Sequence, residues 1–180
     1  KRRTVTSMPK FQQDAEAPLS DAVNLLVSIL VRYPEIGSIN FEPSKQTLKF
    51  TFLLTKIPSP ELFAATKQLL QNSITAYHLL AGHKPAICDI ELTHYDKVSL
   101  LTINRDVSTL TKGELTLVIT LVREKLKELL VTDNNDAMLE EDLLLQEEVI
   151  ETMLQSIKAE RANSGLIGIR EDGRVFVYNK

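Results

Sequence analysis

The sequence predicts an α+β fold: a two-layer antiparallel sheet with helices, built from two ββα pattern repeats. A helix precedes the repeats, and a long helix and a C-terminal β-hairpin follow them. Three observations lead to this reading. Leu48, Phe50, Phe52 and Leu54 alternate with Thr47, Lys49 and Thr51, the period of a strand with one dry and one wet face, as in a sheet covered by helices on one side. Strand, strand and capped helix span residues 36–81, and the same order recurs over 86–130. The hydrophobic fraction is 43% and the charged fraction 25%, so a chain of 180 residues can close a core without disulfides or metal.

Each element has a local cause. Residues 1–17 mix basic and polar residues with proline and lack periodicity, which predicts a flexible basic arm. Ser20 caps a helix to about Arg32, with Ala22, Leu25, Leu26, Ile29 and Leu30 at helical spacing. Tyr33-Pro34 stops it, because a residue before proline is pushed out of the α region. A short strand near Ile36–Phe41 and the turn at Pro43–Gln46 lead into the alternating strand. Ser59-Pro60-Glu61 then starts a helix with a capping hydroxyl, a first-turn proline and an acid at the positive end. That helix should reach Ala81, with Gly82 taking the left-handed position after it.

The second unit has a strand with Cys88, Ile90 and Leu92 inward and another near Val98–Asn104. Thr111-x-x-Glu114 is a capping box, with Leu110 and Leu115 as its hydrophobic staple. The helix behind it should run to about Leu130. Residues 136–163 read as one long acidic amphipathic helix in which Leu139, Leu143, Gln146, Ile150, Met153 and Ile157 form a heptad seam. Leu166–Arg170 and Arg174–Tyr178 flank Asp172-Gly173, a two-residue hairpin signal. The chain thus divides into the arm 1–17, an α+β domain over 18–131 and a helix-plus-hairpin segment over 136–180.

Charge lies at the ends. Lys1, Arg2, Arg3 and Lys10 have no acid among them, residues 136–163 are strongly acidic, and the body between is balanced, for a net charge of −3. This is not the basic footprint of a nucleic-acid-binding domain. A single cysteine rules out an internal disulfide and fits a reducing, cytoplasmic setting. No apolar run approaches the ~20 residues of a transmembrane segment. The sequence opens at Lys1, which leaves open a preceding signal or anchor.

Candidate chemistry is sparse. His78, His83, His94 and Cys88 lack the short spacings of a zinc site. A Cys88/His94 pair could assemble a hydrolase site only in space, and Cys88 reads more simply as a core residue. Glu147 or Glu148 with Glu151 stacks carboxylates one helical turn apart, but no matching motif stands on the preceding helix, so a solvated acidic face accounts for them. No phosphate-cradling glycine loop occurs. The expectation is therefore no catalytic site, no metal, no cofactor and no small-molecule ligand.

What remains is a non-enzymatic interaction, regulatory or scaffold domain whose partner is another protein or a second copy. Leu139, Leu143, Ile150, Met153 and Ile157 on the long helix, with Phe176 and Tyr178 on the hairpin, are the expected contact residues. The alternatives are a hydrolase or metal-dependent enzyme near Cys88/His94 or Glu147–Glu151, and an RNA- or ribosome-associated factor using the basic arm and the hairpin aromatics.

Overall fold

The computed structural model describes residues 5–7, 20–133, 139–159 and 164–180. Its elements are β1 (Val5–Ser7), α1 (Asp21–Arg32), β2 (Ser38–Glu42), β3 (Thr47–Leu54), α2 (Pro60–Leu80), β4 (Cys88–Tyr95), β5 (Val98–Asp106), α3 (Lys112–Leu126), α4 (Glu140–Ala159), β6 (Leu166–Glu171) and β7 (Arg174–Asn179). The strands form one sheet in the order β1-β7-β6-β2-β3-β5-β4, with every neighbouring pair antiparallel.

The two ββα units meet in the middle of that sheet. β3 of the first pairs with β5 of the second from Thr47 opposite Asp106 to Leu54 opposite Ser99, which leaves β2 and β4 as the outer strands of the pair. The C-terminal hairpin fills the free edge of β2, with Ile39 opposite Gly168. The hairpin therefore joins the same sheet as both units. β1 then adds to β7, while the rest of the expected arm lies outside the described residues.

The alternation read from the sequence decides which face is covered. Ile39, Phe41, Leu48, Phe50, Phe52, Leu54, Leu101, Ile103, Val175 and Val177 point to one face and are buried beneath the helices. α1 lies over the hairpin. A methyl group added at Gly168 would come within 2.9 Å of Leu30 Cδ1 and 3.4 Å of Leu26 Cβ, so glycine is what lets this helix seat closely. Arg170 reaches from β6 to the end of α1, where its guanidinium donates to the carbonyls of Leu30, Tyr33 and Ile36. Those bonds put a cation and donors where the helix leaves carbonyls unsatisfied.

The predicted caps form. Val23 N–H donates to Ser20 Oγ at 3.2 Å, Leu62 N–H to Ser59 Oγ at 3.1 Å and Glu114 N–H to Thr111 Oγ1 at 3.1 Å. Gly82 takes φ +77 after α2, and Asp172-Gly173 turns the hairpin with both residues at positive φ.

One expectation is corrected. The third helix ends at Leu126, short of Leu130, because the chain leaves it to pair with β3. Thr55 N–H donates to Leu129 O at 2.8 Å and Val131 N–H to Leu53 O at 2.9 Å. The described part of the long helix is Glu140–Ala159, and residues 134–138 and 160–163 lie outside the described set.

Candidate functional site

The most unusual chemistry in the molecule is buried, beneath α2 and α3 at the end of β5. Parity places Ser99, Leu101, Ile103 and Arg105 on the covered face, so the strand ends by driving a guanidinium into the core. Glu114, in the first turn of α3, meets it. Arg105 Nε donates to Glu114 Oε2 at 2.8 Å and Nη2 to Oε1 at 2.7 Å, a bidentate pair in which each residue is 1% exposed. His78, buried near the end of α2, bonds the same carboxylate through Nε2, while its Nδ1 finds no partner among the described residues. Arg105 also donates to Ile87 O at 2.7 Å, to Thr109 Oγ1 at 2.9 Å and to Asp106. Burial works against the Arg105 charge, but Glu114 and Asp106 outweigh it and hold its pKa above the ordinary value.

Asp106 organises the turn that follows. It accepts from the amides of Ala86, Ile87 and Thr109 and from the hydroxyls of Ser108 and Thr109. Burial alone would raise its pKa, but the bonds from Thr109, Ile87 and Ser108, with Arg105 beside it, hold the carboxyl well below the usual carboxylate range. The cluster locks α2, α3, β5 and the start of β4 together. Among the described residues it saturates its own charges, which is the behaviour of a structural network.

Beside this region a polar cleft of about 390 Å³ is lined by Tyr77, Thr111, Lys112, Gly113, Glu151, Leu154 and Gln155. Tyr77 Oη and Thr111 Oγ1 bond across it at 2.8 Å. Among the described residues it contains no nucleophile–base pair.

The other chemical candidates stay apart. Cys88 stands opposite Arg105 in the sheet and is half-buried, and burial pushes its thiol up despite the guanidinium. His94 is exposed six residues further along the same strand, about 20 Å away at ~3.3 Å per residue. Glu147 is engaged, accepting from Arg32 Nη2 at 2.9 Å and facing Lys112 Nζ at 3.5 Å, which ties α4 to α1 and α3. Glu151 is exposed. Among the described residues, no group of three His, Cys, Asp or Glu side chains is placed to hold a metal ion.

The expected contact residues divide into two sets. Ile150 and Ile157, with Leu154 beside them, are fully buried in the chain's own core, and Met153 packs against that core. Ile150 and Ile157 anchor α4 to its own domain and are not available to a partner, whereas Met153 is half-buried. Leu139 is exposed, with Leu144 and Leu145 close by at 56% and 55% exposure, and Leu143 is half-buried. Phe176 and Tyr178 lie on the sheet face opposite the helices. Tyr178 stands across from Ile167 and Phe176 across from Ile169, and the two rings stack with centroids 6.3 Å apart. These four half-buried side chains make a contiguous apolar patch beside Ser38 and Asn40.

No protein-family model, curated protein or solved structure matches the chain. Function must be read from the geometry alone. No helix among the described residues is long and apolar enough to cross a membrane.

Sequence reasoning missed the Arg105 cluster. The expected capping box gave Glu114 a different task, reaching back to the Thr111 amide. In the structure Thr111 caps the helix as expected, but the Glu114 carboxylate turns inward to the guanidinium. The signal was parity: continuing the covered face of β5 by one more step lands on a buried arginine, which requires an acid nearby.

Proposed function

We propose that this chain is a non-enzymatic interaction module whose contact surface is the uncovered face of its sheet at the C-terminal hairpin. The observation that carries the reading is the patch of Ile167, Ile169, Phe176 and Tyr178, which pairs large apolar side chains across two strands on the face away from the helices. Patches of this kind, rich in aromatics and rimmed by polar residues, are enriched at protein contacts. The exposed leucines at the start of α4 offer a second, smaller surface.

An enzymatic reading has less support, because Cys88 and His94 are far apart and Glu147 is already ion-paired. An RNA-binding reading could draw on the stacked rings, but a net charge of −3 is not the basic footprint of a nucleic-acid-binding domain.

The test compares affinity capture, with chemical cross-linking, by the intact chain and by a Phe176→Lys/Tyr178→Lys variant. Both changes sit on the uncovered face, so the thermal midpoint should hold. Loss of a specific captured protein with the fold intact supports the reading. An unchanged capture profile removes it, and salt-sensitive RNA retention by the intact chain, abolished in the variant, would put RNA in its place.

A further inference from the structure

The two ββα units treat their outer strands differently. β2 has its free edge filled by β6, an antiparallel strand from the C-terminal hairpin, while β4, in the equivalent position, has no neighbour beyond it among the described residues. β4 pairs with β5 along all eight of its residues, from Cys88 opposite Arg105 to Tyr95 opposite Val98.

Its outward groups can be assigned. Asp106 N–H donates to Ile87 O at 3.3 Å, which turns the Ile87 backbone toward β5. Alternation then turns Asp89, Glu91, Thr93 and Tyr95 toward β5 and leaves the N–H and C=O of Ile90, Leu92 and His94 pointing outward. The strand contains no proline and no bulge, and its two acids lie on the uncovered face, where they do not obstruct the edge. Such an edge is a template for another strand.

We infer that the β4 edge is an interface for a second copy of this chain, the two β4 strands pairing antiparallel about Leu92 so that the sheet continues across a two-fold axis. This goes beyond the hairpin-face reading and does not depend on it.

Charge selects the register. A pairing centred on Glu91 would oppose two glutamates, and one centred on Ile90 would set Asp89 against Glu91. One centred on Thr93 shortens the overlap. Centring on Leu92 sets Glu91 opposite Thr93 and Asp89 opposite Tyr95, with Ile90 across from His94 on the other face, so no like charges meet directly. Outward-facing residues then meet outward-facing residues, for about six new backbone hydrogen bonds. The contact is isologous, so it closes as a dimer without forming a fibre.

Sedimentation of the whole chain across the micromolar range tests this. The intact protein should show a concentration-dependent monomer–dimer equilibrium. Leu92→Pro removes an outward N–H that β5 does not use and should give a monomer with an unchanged far-ultraviolet spectrum. Should that variant unfold, Thr93 supplies the test without touching the backbone. Thr93→Lys places a lysine opposite Glu91 of the second copy twice per dimer and should tighten the dimer roughly two- to thirty-fold. Thr93→Glu should weaken it comparably. A chain that stays monomeric throughout, or Thr93 variants that leave the dimer constant unmoved or shift it in the same direction, would overturn the inference. Phe176→Lys/Tyr178→Lys should leave this equilibrium as it is. If it abolishes the dimer instead, the second copy sits on the hairpin face and the edge assignment is wrong.

Discussion

Arg105 and Glu114 face one another through two parallel hydrogen bonds, Nε to Oε2 at 2.8 Å and Nη2 to Oε1 at 2.7 Å, sealed between the sheet and two helices. Removing one member strands the other charge in the core. Glu114→Ala should therefore destabilise the fold by ~3–5 kcal/mol in urea unfolding. Arg105→Met combined with Glu114→Leu should cost less than the two single changes added together, because neither partner is then left alone. Simple additivity would show that the pair does not act as a unit.

Asp106 gives the stability a defined acid limb. Its folded pKa is depressed, so its contribution is complete above the ~3.9 of an unfolded aspartate and is lost as pH falls from there toward the folded value. Unfolding free energy measured from pH 7 down to pH 3 should decline below about pH 4. In Asp106→Asn, less stable at neutral pH, the decline should be shallower. Equal acid slopes in the two proteins would assign the limb to other carboxylates.

Gly113 sits in the first turn of α3, where alanine would ordinarily favour a helix by ~0.5–1 kcal/mol. Here an added methyl would collide with the Tyr77 hydroxyl and come within 3.3 Å of its ring carbon. Gly113→Ala should displace Tyr77 from Thr111 and destabilise the protein by ~1 kcal/mol net. In a Tyr77→Phe background, which removes the clashing oxygen, the same change should be neutral or stabilising. Thermal denaturation of the four proteins reads the difference.

The two halves of α4 should answer differently to truncation. Ile150→Ala empties a fully buried site and should cost ~2–5 kcal/mol, whereas Leu144→Ala, more than half exposed, should stay within ~0.5 kcal/mol. Equal effects would mean that the helix docks along its whole length.

Much of the architecture was legible because it is locally encoded. The alternation of Leu48–Leu54, the hydroxyl caps at Ser20, Ser59 and Thr111, and the Asp172-Gly173 turn each follow from a few adjacent residues. The features that escaped depend on distant partners. Nothing near Leu129 announces that its carbonyl will accept from Thr55, and nothing near Glu114 announces Arg105 as its partner. The long helix shows the same limit. Its apolar stripe was visible, but heptad spacing does not say that Ile150 and Ile157 would be covered by the chain itself. Of the expected contact residues, Phe176 and Tyr178 on the hairpin, and Leu139 and in part Leu143 and Met153 on the helix, remain accessible, while Ile150 and Ile157 do not.

The placement of the hairpin has a consequence for synthesis. β2 is flanked by β3, its neighbour in sequence, and by β6, made more than a hundred residues later. During translation the four strands of the two units can assemble while the greasy underside of α1 still awaits Gly168, Val175 and Val177. Until the hairpin leaves the ribosome, the nascent chain carries both a bare helix surface and an open strand, the combination that draws chaperones or misassembly.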